Sequence, residues 1–528
     1  MSVPGASVSS LGPCAINDIA KRGLGLSFSG MRLLIPVFLA AVLGPVSHAA
    51  KPLNVVLIVA DDLGVMDISP YNPKTFYDTP ALQRFADSGI RFTNAYAASP
   101  VCSPTRSAIM TGQWPSRTRN TQYFGGPNEF FGQALPENYD PLKHGDFKSR
   151  KSYPLWPAPY LGQLAGSHTT LAEALKAKGY ATFFAGKWHL GPKGSLPTDH
   201  GFDYNLGGTD KGGPYGGGGY FSPYGNPYLT DGPVGEHLPD RLAAETGKFI
   251  AKHKHQPFFA LLSFYSVHTP LMGRPDLVEK YEKRRLERGL KDEFEDEPPR
   301  RNRSIQSHAV YAAMVEAMDL AIGRVLDAIN AEGVADHTLV IFTSDNGGLS
   351  TSEGSPTSNL PLRASKGWLY EGGIREPFIV RWPGAAKGAT SSWLVTSTDI
   401  FPSILEAAGM PLLQDQHKDG VSFVPALKNP AATHHERPLY WHFPHWGNQG
   451  GSPGAAVRLG DWKLIDWFWG KPTELFNLRT DIGERNNVAA RNPEVVTKLR
   501  QILEGFHADT KALMPHPNPK PKQPFDKW

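Results

Sequence analysis

Cys102 stands at the head of the run Val101 to Gly112, which reads Val-Cys-Ser-Pro-Thr-Arg-Ser-Ala-Ile-Met-Thr-Gly. Pro104 interrupts the backbone two residues later, and Thr105 to Met110 can start a helix whose N-terminus faces the thiol. A helix N-terminus favours negative charge and would lower the thiol pKa. Two pairs of oxygen-bearing side chains follow strand-like runs: Asp61 and Asp62 end the apolar run Leu53 to Ala60, and Asp345 and Asn346 follow Thr338 to Phe342. Three carboxylates and a carbonyl oxygen argue against a soft metal and suit calcium, which takes about six to eight oxygens, with the nucleophile at Cys102 as a further ligand. Taken singly, each feature has a simpler account: a small cysteine packed beside a turn, a solvated Asp-Asp pair, an Asp-Asn-Gly turn.

Together the segments carry a resemblance. Cys102, Pro104, Thr105, Arg106, Met110 and Gly112 fill the pattern Cys-x-Pro-Ser/Thr-Arg followed by Leu/Met-x-Gly, and the stretch resembles the signature of type I sulfatases of the alkaline phosphatase superfamily. Lys187-Trp-His189-Leu-Gly is similar to that family's second active-site segment, and the stretch from Ala364 through Lys366 to Arg375-Glu-Pro also matches it. The resemblance implies that a separate maturation enzyme oxidises Cys102 to formylglycine, whose hydrate is the nucleophile. It further implies that Lys187 holds nucleophile and sulfate, that Arg106 and His189 orient the diol, and that Lys366 is a sulfate ligand. His268, in Ser266-Val-His268-Thr-Pro, would touch the sulfate and protonate the departing alcohol. A diol can expel sulfate by re-forming the aldehyde, whereas a serine would remain a stable ester.

These segments need a frame that sets strand ends side by side. Buried apolar strands alternate with helices, as in Ile90 to Ala95 after a helix from Thr79, Tyr180 to Ala185 after the capping box Thr170-Leu-Ala-Glu173, and Phe378 to Trp382 before the helix Asp399 to Ala408. This order predicts an α/β fold with a mostly parallel central sheet flanked by helices, alkaline phosphatase-like by resemblance, with ligands outside the carboxyl ends of the strands. Gly207 to Gly225 reads as a flexible surface loop, and Glu279 to Arg303 as a solvated helix or linker. Past about residue 430, short strands and the amphipathic helix Glu494 to Ala508 predict a smaller C-terminal α+β domain on a short antiparallel sheet. The expected division is 1–49 signal peptide, 50–430 catalytic domain and 431–528 C-terminal subdomain with a Pro/Lys-rich tail.

The signal reading rests on Lys21, Arg22 and Arg32 before the apolar run Leu33 to Leu43, with Ser47 and Ala49 as small residues for cleavage and Met31 as an alternative start. Eleven apolar residues are too few for a stable membrane span. Cleavage would remove Cys14 and leave no partner for Cys102. With one sequon at Asn302, this leans towards a bacterial periplasmic or secreted protein. A net charge of +4 over 528 residues gives no case for nucleic acid.

The substrate expectation is a sulfated carbohydrate attacked in exo fashion. The stretch Tyr440 to Gln449 mixes aromatic faces with neutral polar groups, and His442 and His445 are its candidate sugar contacts. A small-molecule arylsulfatase, a phosphonate or phosphate monoesterase on the same fold, and an inactive sulfated-glycan binder with unmodified Cys102 are the alternatives.

Overall fold

The structure, a computed structural model, describes residues 52–126, 129–130, 132, 134–135, 153–434, 436–519 and 521. The export signal read over residues 1–49 lies outside them. The main sheet contains β1 (Asn54–Ala60), β2 (Ile90–Tyr96), β3 (Ala181–Gly186), β4 (Tyr204–Leu206), β5 (Phe258–Ser263), β6 (Thr338–Ser344), β7 (Phe378–Arg381) and β8 (Ala389–Thr396). Their order is β8-β2-β7-β6-β1-β5-β3-β4. Neighbours are parallel except around β7, which is antiparallel to both β2 and β6. The mostly parallel sheet predicted from the alternation of strands and helices is therefore present.

Every residue of β1 is buried because both faces are covered. Val56 and Ile58 join one core with helices α1 (Pro80–Asp87), α4 (Leu238–His253) and α5 (Ala309–Ala331). Val55, Leu57 and Val59 join a second with α2 (Cys102–Thr111), α3 (Leu171–Lys176) and α6 (Ile400–Ala407). The period-two alternation of a strand sends successive side chains to opposite faces, so a run of valines and leucines serves both cores. The capping box at α3 forms as read: Thr170 Oγ1 accepts from the Glu173 N–H, and the Glu173 carboxylate accepts from the Thr170 N–H.

Strands β9 (Leu439–Phe443), β10 (Gly454–Leu459), β11 (Trp462–Trp467) and β12 (Glu474–Asn477) form a smaller antiparallel sheet. Helix α7 (Pro493–Thr510) packs Leu499, Leu503 and Phe506 into its core. At the seam with the main sheet, Trp441 Nε1 donates to the Ala97 carbonyl at 2.8 Å, and Lys463 lies 3.0 Å from Glu371 and 2.8 Å from Glu484.

Three readings change. The charged stretch Glu279 to Arg303 is the end of a helix, Pro275–Glu287, followed by a hairpin of Phe294–Glu297 against Arg300–Arg303. Arg301 and Arg303 lie over the Phe294 ring, so the charges there are packed rather than simply solvated. The sequon asparagine, Asn302, is fully buried and donates to Glu295, which leaves no room for a glycan in the folded chain. Tyr220, inside the glycine-rich Gly207 to Gly225, is also fully buried and donates to the carbonyls of Tyr265 and His268, so that loop is packed onto the end of β5.

Candidate active site

The carboxyl ends of β1, β2, β3, β5 and β6 lead respectively into Asp61-Asp62, the approach to Cys102, Lys187, His268 and Asp345-Asn346. Parallel strands end on one side of the sheet, so five segments far apart in sequence converge there. Gly186 makes one of these exits possible: its φ is 104°, and a Cβ there would come within 1.8 Å of the Ser263 carbonyl.

Arg106, on α2, donates through Nε to Asp345 Oδ2 at 2.7 Å and through Nη1 to the Lys187 carbonyl at 2.8 Å. Lys187 Nζ lies 2.7 Å from Asp61 Oδ2, and Lys366 Nζ lies 2.7 Å from Asp62 Oδ1. Asn346 Nδ2 donates to Asp62 Oδ1 at 2.8 Å. Burial alone would raise the Asp62 carboxyl, but Lys366 and its neighbours outweigh it and hold the group below the usual carboxylate range. Burial also drives the Asp61 carboxyl up, and here Lys187 does not offset it.

Oxygens of Asp61, Asp62 and Asp345 all lie within 4.8 Å of one another. Asp61 Oδ1 and Asn346 Oδ1 are buried and accept no hydrogen bond among the described residues. Orphaned buried oxygens are costly, and a set of hard oxygen donors with bare lone pairs fits a calcium ion.

Cys102 Sγ lies 3.4 Å from His189 Nδ1, and His189 Nε2 lies 3.2 Å from the Phe124 carbonyl. Burial, then the Lys187 charge, lowers the His189 pKa well below its ordinary value, so the ring is neutral. With Nε2–H donating to Phe124, Nδ1 faces residue 102 as an acceptor. The expected lowering of the thiol pKa is not found. Burial pushes the Cys102 thiol up, and Lys187 and Lys366 counter it only in part. Cys102 is itself the first residue of α2, and Pro104 sits inside the first turn, where its missing N–H costs no helical bond.

His268 Nδ1 lies 2.7 Å from the Thr269 carbonyl and Nε2 3.8 Å from Asp62 Oδ2. Burial, then Lys366, lowers its pKa to about 3. Cys102, His189, His268 and Lys366 all line one cavity of about 360 Å³.

The structure does not bring His442 and His445 to that cavity. His442 turns towards α7, with Nδ1 3.2 Å from His507 and Nε2 2.9 Å from the Leu513 carbonyl. His445 Nε2 lies 2.9 Å from Thr121 Oγ1, with its ring against Tyr160 and Phe443. Both are pulled into aromatic packing that secures the small sheet. The same stretch does reach the cavity, but through Asn448 and Gln449. Tyr123, Tyr215, Thr269 and Glu353 complete its wall and were not picked out from the sequence. Gly212, in the glycine-rich loop, lines the cavity as well, where a Cβ would come within 2.8 Å of the His189 ring.

Buried lysines, acids and two neutral histidines at the strand ends suit an anionic ester, and likeness to known proteins places the chain among the hydrolases of the alkaline phosphatase-like superfamily. The sulfatase family model matches residues 53–410, and a model described as N-sulphoglucosamine sulphohydrolase, C-terminal, matches residues 364–509. A sulfatase from Formosa agariphila is 30% identical, over 88% of this chain and 89% of the relative. N-acetylgalactosamine-6-sulfatase from Homo sapiens is 29% identical, over 87% of this chain and 80% of the relative. The crystal structure of Ps i-CgsB in complex with k-i-k-neocarrahexaose is similar with a TM-score of 0.67 and 26% identity, covering 90% of this chain and 95% of that one. The chain belongs to the sulfatase family, whose members hydrolyse sulfate esters. Among the described residues, no helix is long and apolar enough to cross a membrane.

Proposed function

We propose that this sulfatase is an exported, calcium-dependent enzyme that removes sulfate from carbohydrate in exo fashion, with Cys102 matured to formylglycine. The observation that carries the reading is a single cavity lined both by residue 102, His189, His268 and Lys366 and by Tyr123, Tyr215, Asn448 and Gln449. Its volume, about 360 Å³, lies near the small end of ligand pockets, which run from about 300 to 1,000 Å³. It suits one sulfated sugar unit with aromatic faces and amide groups around it. Names of relatives support the substrate class: one is an N-acetylgalactosamine-6-sulfatase, and another was solved with k-i-k-neocarrahexaose.

Asp61, Asp62, Asp345 and Asn346, with residue 102, would hold calcium, which when bound supplies positive charge against the sulfate oxygens and the nucleophile. Formylglycine, as its hydrate, would supply an oxygen nucleophile at position 102 that can be freed again as the aldehyde. The remaining steps fall to side chains in place. Lys187 and Lys366, buried beside Asp61 and Asp62, still have N–H donors to offer sulfate oxygens, and Arg106 fixes Asp345 and the Lys187 backbone. His189, neutral and facing residue 102 through Nδ1, accepts a proton from the nucleophile. His268 starts neutral; the charge of a bound sulfate ester raises its proton affinity, so that it can protonate the departing sugar oxygen.

The test is the mass of the peptide containing Cys102 from active protein, together with turnover of sulfated sugars beside an aryl sulfate and matched phosphate esters. Conversion removes about 18 Da by atom counting. An unmodified Cys102 in fully active protein, or preference for the phosphate esters, overturns the reading.

A further inference from the structure

The cavity contains a group of the wrong sign. Among its described lining residues Glu353 is the only carboxylate, and it stands in a pocket whose other charged lining residue is Lys366. One of its oxygens lies within 4.8 Å of a ring nitrogen of His268 and of an oxygen of Asp62. A carboxylate so close to a bound sulfate repels the sulfate oxygens, and nothing in the sulfate chemistry calls for it. With His268 as the proposed acid for the departing sugar oxygen, the neighbouring Glu353 falls on the leaving-group side of the ester.

The side chain is held with care. Glu353 Oε1 accepts from Asn448 Nδ2 at 3.1 Å and from Gln449 Nε2 at 2.9 Å. Gln449 is anchored in turn, since its carbonyl accepts from Thr351 Oγ1 at 2.8 Å and Trp368 Nε1 at 2.9 Å. Arg300 Nη2, from the charged hairpin, donates to the Asn448 carbonyl at 2.7 Å. The Glu353 backbone has a φ of 55°, a left-handed conformation that costs a residue other than glycine about 1 kcal/mol or more and that clusters at ligand-holding positions. Both hydrogen bonds from described side chains fall on Oε1, so Oε2 is the oxygen with lone pairs to offer a ligand.

We propose that Glu353 is a specificity-determining residue, which accepts a hydrogen bond from the sugar hydroxyl neighbouring the sulfate ester and rejects substrates that carry a second sulfate there. The inference rests on the carbohydrate reading above and deepens it. Asn448 and Gln449 hold the carboxylate in position. A hydroxyl donated to a carboxylate forms a strong, charge-assisted bond, and removing that hydroxyl leaves a desolvated carboxylate unpaired. A second sulfate at the same place instead sets two anions against each other in a partly dry site.

The experiment takes the monosulfated methyl galactoside, N-acetylgalactosaminide or glucoside that the matured full-length protein turns over best. It compares this probe with analogues lacking one neighbouring hydroxyl and with its vicinal disulfate, in wild type, Glu353→Gln and Glu353→Ala. Thermal melting of each variant establishes that it is folded. In wild type, loss of one particular hydroxyl lowers kcat/KM about 10- to 100-fold. In Glu353→Ala the same deletion has less than about a 3-fold effect, and in Glu353→Gln the vicinal disulfate gains at least about 10-fold relative to the monosulfate. Variants that lose activity evenly across the sugar probes, with the hydroxyl effect intact, overturn the inference and leave the carbohydrate reading standing. A wild type that hydrolyses p-nitrophenyl sulfate but no sugar probe overturns both.

Discussion

At the seam between the two sheets, Lys463 joins Glu371 to Glu484, while the other Glu371 oxygen accepts from Tyr96 and Arg375, both at 2.7 Å. At the strand ends, Lys187 and Lys366 each take one carboxylate and Arg106 takes a third, yet Asp61 Oδ1 and Asn346 Oδ1 accept no hydrogen bond among the described residues. Both clusters bury several charges of each sign. Each carboxylate has a cation in both clusters; the seam joins one sheet to the other, whereas the strand-end cluster keeps buried oxygens that accept no hydrogen bond among the described residues. Buried ion pairs offset a large desolvation cost only when their geometry is fully satisfied, so the two clusters should fail in different ways.

The largest difference is expected in turnover. Cys102→Ala removes the proposed nucleophile and should abolish activity, by roughly a million-fold where residual rates are measurable, while unfolding in denaturant shifts by about 1 kcal/mol or less. A large loss of stability would mean that position 102 is structural. Asp345→Ala should lower kcat/KM at least about 100-fold. It should also remove the rise in melting temperature expected of the wild type in calcium, a stabilisation of about 2.7 kcal/mol at 100 times Kd. Full activity of this variant in chelator would sink the metal assignment.

Lys463→Met tests the seam. It leaves Glu484 without its cation and Glu371 with Arg375 alone, and should cost about 3 to 5 kcal/mol in chemical denaturation, with the expected response to calcium unchanged. Loss of the calcium response instead would make the two clusters one network.

The smallest effect separates acid titration from both clusters. Burial, then His507, lowers the His442 pKa to about 3, against an ordinary value of 6.5. The unfolded chain therefore binds the proton first, and the contribution of neutral His442 is complete above pH 6.5 and lost as pH falls towards 3. Between pH 7 and pH 5 this amounts to about 2 kcal/mol, and His442→Phe should flatten that part of the stability curve. An unchanged slope would mean that His442 titrates normally.

Much of the strand-end cluster was legible because its segments are short and each follows a recognisable strand. Asp61-Asp62 and Asp345-Asn346 could be read from residue type at strand ends, while Cys102, Lys187, His189, His268 and Lys366 were legible only through the resemblance to sulfatases, and the sheet then brings the segments together. The rim of the cavity was not legible in the same way. Tyr215 comes from a loop whose glycines suggested flexibility, and the position of that loop depends on Tyr220 reaching two carbonyls after β5. Glu353 gains its role only when Asn448 and Gln449 arrive from almost a hundred residues away. His442 and His445 had the right chemistry for a sugar, but aromatic neighbours claimed them, and side-chain type alone does not tell which face a strand residue takes. The edge strand β8 was missed because its polar residues and the register shift between Ser391 and Leu394 blur the alternation.

Asn448 and Gln449 lie on the connection between β9 and β10, whose two ends are pinned by the pairing of Phe443 with Gly454. The same connection carries His445 and Trp446, whose contacts with Thr121 and the Leu155 carbonyl anchor it to the main domain, so the side chains at 448 and 449 are the ones that can change without disturbing that packing. Two side chains on one connection thus give the shortest engineering route to a cavity with different polar groups, with the strand-end cluster inherited whole.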